Sequence, residues 1–170
     1  LLFLIMSILI SRYLMAPAYK SSIHMFVDNS RAQSGAQLDI NDINASQKLL
    51  GTYVYLLTDD EILDAVASKL GPSYSAGWLR GVLRADALND TMLIKITAET
   101  ADPELSARIC NSIGEAAPEI LRRIVKSGTV EMVSAAKPAK APSSPNERAN
   151  AALGAFLGFV LSTGVIVLLH

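Results

Sequence analysis

The sequence predicts an α+β fold, a small mixed sheet packed with helices, carried between two transmembrane helices. Three observations predict it. The charges are confined to the middle of the chain: the first is Arg12, the last is Arg148, and all 15 Lys and Arg and all 16 Asp and Glu lie between them. Within that middle, apolar residues alternate in some stretches and recur at helical spacing in others. Those stretches follow the order strand, helices, two strands, long helix, strand, which suits helices packed on a small sheet. The expected boundaries are a first membrane helix over 1–18, an extracytoplasmic domain over 19–136, a proline-rich linker over 137–148 and a second membrane helix over 149–170.

The ends carry the membrane reading. Ala149 to Leu169 contains no charge, and at about 1.5 Å per residue it spans roughly 30 Å as a helix, the thickness of a bilayer core. Only Asn150, Ser162 and Thr163 are polar in it, so it lacks the polar face of a buried core helix. "LLFLIMSILISRYLMAP" is shorter and holds Arg12, which can snorkel if the helix ends near Met15. Tyr13 and Tyr19 suit the same boundary. The sequence does not open on Met, so further residues are expected before Leu1. A rival reading makes this end a signal peptide with "APA" at 16–18 as its cleavage site.

The middle reads element by element. "SSIHMFVD" puts Ile23, Met25 and Val27 on one face of a strand and Ser22, His24, Phe26 and Asp28 on the other. A polar loop follows over 29–39. Ile43, Leu49, Leu50, Tyr53, Val54, Leu56 and Leu57 then run at near-helical spacing. "TDDEILDAVASKLG" is a marked helix, with Thr58 and Glu61 as a capping box. Asp59 and Asp60 occupy its electropositive first turn, Ile62, Leu63, Val66 and Leu70 form its stripe, and Gly71 closes it. "SAGWLRGVL" is a shorter helix capped by Ser73 or Ser75.

"RADALNDTMLIKITAET" reads as two strands joined at Asn89 and Asp90. Met92, Ile94, Ile96 and Ala98 share a face of the second. Asp102 caps the long helix and Pro103 opens it. Leu105, Ile109 and Ile113 form its stripe, and Pro118 is expected to kink or break it. "GTVEMVSAA" is the last strand.

Catalytic chemistry has no visible carrier. A net charge of −1 offers no footprint for nucleic acid. No metal-ligand spacing, phosphate loop or nucleophile elbow occurs, so no catalytic residue, metal or cofactor is expected. His24 reads as structural. Cys110 is the single cysteine, which excludes an intrachain disulfide, and beside Ile109 it reads as a buried thiol. Asp59, Asp60, Glu61 and Asp64 read as helix N-terminal charge, and Arg122, Arg123 and Lys126 as the matching cationic C-terminus. Arg80 and Arg84, four apart around Trp78, are a candidate polysaccharide or subunit contact. Gly154 and Gly158 form a G-x-x-x-G, a spacing that lets membrane helices approach closely.

Together these residues resemble a known family. "YKSSIHMFVDN", "INASQKLLGTYVYLLTDDEILDAVASKLG", "MLIKITAETADPELSARICNSI" and "KPAKAPSSPNERANAALGAFLG" resemble the polysaccharide co-polymerases, or Wzz-type chain-length determinants. The likeness is strongest to the short capsular polysaccharide modulator form that partners a bacterial tyrosine kinase. Pro138, Pro142, Ser144, Pro145, Gly154 and Gly158 match the family's proline- and glycine-rich segment, though proline spacing varies among members and the denser glycines of some are missing. The resemblance implies two spans in the bacterial cell membrane with cytoplasmic termini, and an outward-facing domain. It implies a homo-oligomeric ring, often octameric, that controls the length and export of a capsular or exopolysaccharide. The partners it implies are the polymerase, its lipid-linked polymer and a cytoplasmic tyrosine kinase, contacted through a tail to which no residue up to His170 is assigned.

The expected function is therefore non-enzymatic. The alternatives are a two-span sensor or adaptor with a ligand-binding domain, and a secreted enzyme behind a cleaved signal. Pro138, Pro142 and Pro145 lack backbone donors and favour a stiff, extended path, so the linker is expected to couple the domain to the second span. Asn146 is expected to cap that span and Arg148 to mark the lipid boundary.

Overall fold

The structure, a computed structural model, describes residues 6, 16–28, 50–88, 91–125 and 129–169. The chain divides into two units. One runs from Lys20 to Lys140; the other joins the two flanks, up to Tyr19 and from Ala141.

β1 (Tyr19–Asp28) forms because apolar residues alternate along it. Ile23, Met25 and Val27 are fully buried, while Phe26 faces outward. α1, described over 50–57, buries Leu50, Tyr53 and Leu57. α2 (Asp60–Leu70) buries Ile62, Leu63, Val66 and Leu70, the stripe read from its sequence. Gly71 ends it with φ 118°, a conformation that favours glycine, and its N–H closes on the Ala67 carbonyl at 3.0 Å. α3 (Ala76–Val82) starts at Ser75, whose hydroxyl accepts the Trp78 N–H at 3.3 Å. β2 (Leu83–Ala87), β3 (Leu93–Thr100), α4 (Pro103–Ile124) and β4 (Thr129–Ser134) complete this unit. Asn89 and Asp90 lie outside the described residues.

The sheet has the order β2-β3-β1-β4. β1 pairs antiparallel with β4, with Val27 opposite Val130, and β2 pairs antiparallel with β3, with Ala85 opposite Ile96. The central pair is antiparallel too. Val27 donates its N–H to the Met92 carbonyl at 2.9 Å, while Lys20, at the other end of β1, meets Glu99 at 3.3 Å. The sheet is therefore antiparallel throughout, rather than mixed as the sequence suggested. The reason is interleaving. β3 and β4 run the same way but β1 lies between them, and β1 and β2 run the same way but β3 lies between them. This is the split β-α-β arrangement of ferredoxin-like sheets.

Helices cover one face of the sheet. Ile94, Ile96 and Ala98 of β3 join Ile23, Met25 and Val27 beneath Ile109, Cys110, Ile113, Ala117 and Leu121 of α4. Gly114 lets α4 come close: a Cβ there would meet Ile23 Cδ1 at 3.1 Å and collide with Met132 Sδ.

Two local expectations are corrected. α4 runs unbroken through Pro118 to Ile124. An interior proline costs about 3 kcal/mol, but Ile113 before it and Leu121 after it are buried, each worth about 1.5–3 kcal/mol. Thr58 and Glu61 form no capping box. Asp59 is the N-cap and makes no side-chain cap bond. The Thr58 hydroxyl turns back to the Tyr55 carbonyl at 2.9 Å, and Glu61 pairs with Arg123.

In the flanking unit, α5 (Glu147–Leu169) follows the prolines. Among the described residues, no helix is long and apolar enough to cross a membrane. The two membrane spans and the extracytoplasmic placement are thus not shown by the structure.

Candidate functional site

The segment that leaves β4 is held at Ala136 and Lys137. Asn111, on α4, takes Ala136 from both sides: its Nδ2 donates to the Ala136 carbonyl at 3.2 Å and its Oδ1 accepts the Ala136 N–H at 2.7 Å. The side-chain amide thus replaces a strand partner for one residue. The Ser21 hydroxyl then donates to the Lys137 carbonyl at 3.0 Å. No sequence signal marked Asn111 or Ser21, because an amide on a helix and a serine on a strand are ordinary in isolation.

Within the flanking unit Ala18 pairs with Ser143 and Ser144. Ala18 donates its N–H to the Ser144 carbonyl at 3.0 Å, and its carbonyl accepts the Ser143 N–H at 2.8 Å and the Ser143 hydroxyl at 3.0 Å. A free proline linker would leave these groups to water. Pro138 and Pro142 are exposed and Pro145 is half-buried. They sit around contacts made by their neighbours, since proline itself has no N–H to give. Asn146 accepts the Ala149 N–H at 3.2 Å, the expected helix cap. Gly154 is buried and Gly158 half-buried on α5, while Leu153, Phe156, Leu157, Phe159, Val160 and Leu161 are exposed. The side chain of Arg148 and the first apolar end, apart from Met6 and Ala16 to Ala18, lie outside the described residues.

The expected patch of Arg80, Arg84 and Trp78 does not lie on one helix face. α3 stops at Val82, so Arg84 belongs to β2, opposite Thr97. The four-residue spacing assumed a helix that the change to strand interrupts. Arg80 is held elsewhere, 2.5 Å from Asp60 and 3.5 Å from the Thr58 carbonyl. Arg84 borders a small cavity of about 200 Å³ with Lys20, Thr97 and Glu99. Trp78 packs against Tyr74, ring centres 5.1 Å apart and planes tilted by 49°. Tyr74 was missed, since it stands in a turn outside every apolar pattern.

Two carboxylates of the acidic start of α2 have ion-pair partners, Asp60 with Arg80 and Glu61 with Arg123. Among the described residues no cluster of His, Cys, Asp and Glu could hold a metal. Cys110 is buried with its Sγ 3.2 Å from the Ser21 carbonyl, and burial pushes its thiol up to about 11. A thiol so buried and so weakly acidic is a packing group, not a nucleophile at neutral pH.

No family model matches the chain. Curated proteins do match it over nearly its whole length. The capsular polysaccharide biosynthesis protein CpsC of Streptococcus agalactiae is 29% identical over 159 residues, covering 94% of this chain and 69% of the relative. This chain is similar to capsular polysaccharide biosynthesis proteins. CpsC of Streptococcus pneumoniae is 28% identical with the same coverage. The probable capsular polysaccharide biosynthesis protein YwqC of Bacillus subtilis is 26% identical, covering 95% of this chain and 66% of the relative. The likeness is consistent with the polysaccharide co-polymerase family and supports a role in capsule synthesis. Among solved structures, the intact alpha subunit of aIF2 from Pyrococcus abyssi aligns at TM-score 0.37 and 8% identity, covering 72% of this chain and 36% of that one.

Proposed function

We propose that this protein is a non-enzymatic membrane polysaccharide co-polymerase that sets the chain length and export of a capsular or exopolysaccharide. The observation that carries the reading is the match to capsular polysaccharide biosynthesis proteins over 94% of the chain. The architecture supports it. Within the flanking unit Ala18 and Ser144 form a bridge, so the two flanking segments lie side by side at that point. That is the arrangement a domain needs if both its ends enter one membrane. Ala149 to Leu169 carries no charge, and the exposed Leu153, Phe156, Phe159 and Leu161 suit a lipid environment.

In this reading the protein is a multi-pass protein of the bacterial cell membrane with its domain outside. It forms a homo-oligomeric ring that works beside the polymerase and its lipid-linked polymer. It also activates a cytoplasmic tyrosine kinase through a C-terminal tail.

Deleting the gene in its host and resolving the surface polymer by gel tests the proposal. The expected result is an altered length distribution restored by the wild-type protein; an unchanged distribution would sink it. Particle mass in detergent tests the ring. A monodisperse monomer would instead favour a two-span sensor or adaptor.

A further inference from the structure

The loop between α2 and α3 shapes an open surface cleft. Its volume is about 540 Å³ and its walls are Asp64, Ala67, Ser68, Gly71, Pro72, Tyr74 and Ser75. We infer that this cleft binds a neutral chain of pyranose sugars, with Tyr74 as its stacking surface and Asp64 as its principal hydrogen-bond acceptor. The inference rests on the capsule reading for its biological sense, but the chemistry stands on the cleft.

Four features point to a sugar. Tyr74 lies on the wall, and behind it Trp78 packs at 5.1 Å with 40% of its own surface exposed. Tyr74 is half-buried and packs against the core, so it offers the cleft part of a fixed aromatic ring, whose negative quadrupole suits the weakly positive C–H groups of a sugar ring. Asp64 is exposed and is the single carboxylate among the described lining residues. An ionised carboxylate accepts hydrogen bonds from more than one hydroxyl at once.

The serines add a matched pair. Ser68 donates its proton to the Asp64 carbonyl at 2.8 Å, so its oxygen is oriented to accept. The Ser75 oxygen accepts the Trp78 N–H, so its proton is left to donate. The loop shape is set by Gly71, with φ 118°, and by Pro72, which together keep the wall preformed. No Lys, Arg or His stands among the described lining residues, and Asp64 repels carboxylates and phosphates. The chemistry therefore favours an uncharged polymer over an acidic one.

Trp78 is the chain's only tryptophan, so its emission reports on Tyr74 directly. The test titrates the full chain, held in nanodiscs, with cellohexaose, maltohexaose and chitohexaose as neutral probes and a hyaluronan hexasaccharide as the acidic one. The expected result is a saturable change in Trp78 emission with at least one neutral probe and none with hyaluronan. Tyr74→Ala and Asp64→Asn should each weaken binding tenfold or more, while Tyr74→Phe and Arg84→Ala should bind within twofold of wild type.

Four outcomes would overturn the inference. They are no saturable response to any neutral probe, unchanged binding in both Tyr74→Ala and Asp64→Asn, loss in Arg84→Ala instead, or tighter binding of hyaluronan. Because the readout is binding, it is independent of polymer length in cells. A cleft that binds sugar in a protein whose deletion leaves polymer length unchanged would refute the proposed function alone.

Discussion

Asn111 and Ala136 are joined by two hydrogen bonds, one in each direction, between a helix side chain and the backbone that leaves the last strand. The pair fastens the exit of the domain to its longest helix. Ala136 is buried, so removing the amide strands a donor and an acceptor away from water. Asn111→Leu should destabilise the domain by about 1–3 kcal/mol. Asn111→Asp should fall between, since it keeps the acceptor and loses the donor. Chemical unfolding of the full chain in detergent, followed by far-UV circular dichroism, reads both; a Leu variant as stable as wild type would remove the pair's importance.

Gly114 marks the closest approach of α4 to the sheet. Gly114→Leu must displace Met132 and press on Ile23, and should cost about 1–3 kcal/mol as overpacking. Gly114→Ala should be much milder. Met132 is half-buried and can move, and alanine regains about 0.5–1 kcal/mol of helix propensity. The ordering Gly, Ala, Leu in unfolding midpoint checks the argument.

Cys110 gives a pH dependence with a definite sign. Burial raises its thiol from 9.0 to about 11. The unfolded chain therefore loses its proton first as pH rises. The stability tied to the neutral thiol is complete below pH 9 and is lost progressively between 9 and about 11. Cys110→Ala should make the fall in stability across that window shallower, leaving the part carried by Tyr53, whose hydroxyl is also pushed up by burial. At neutral pH a maleimide should label Cys110 only as fast as the domain opens, and rapid labelling of the native protein would contradict its burial.

The ion pairs of α2 should contribute little. Arg80 and Asp60 are half or more exposed at 50% and 66%, and so are solvent-screened. A double-mutant cycle on this pair should give about 0.2–1 kcal/mol, falling as salt is added. The same range applies to Arg123 with Glu61. A coupling several times larger would mean that these pairs organise the helix pair beyond its apolar packing.

Replacing Pro138, Pro142 and Pro145 together by alanine should alter polymer length in the host and leave the domain folded. The contacts that hold the exit, from Asn111, Ser21 and Ala18, do not involve proline side chains. The unfolding midpoint should therefore move little. Native polymer length in the triple variant would reduce the prolines to a spacer.

Periodicity and end signals by themselves determined much of this protein. Alternation in β1 and β3 named their buried faces, because side chains on a strand point to opposite sides with period two. The stripe of α2, the glycine at its end and the Asp102–Pro103 start of α4 were legible because each acts within a single turn of chain. The charge-free run after Arg148 is a property of composition alone.

Only the tertiary structure decided the rest. Strand order and direction depend on which segments meet across long separations, so an all-antiparallel sheet could not be told from a mixed one by pattern. α4 survives Pro118 because packing against the sheet offsets a local penalty. Thr58 and Glu61 matched a capping box, yet α1 drew away the hydroxyl and α4 the carboxylate. The separation of Arg80 from Arg84, the Tyr74–Trp78 ring contact and the hold of Asn111 on Ala136 belong to the same class. Each joins groups whose relation exists only after the chain has folded and brought distant residues within bonding distance.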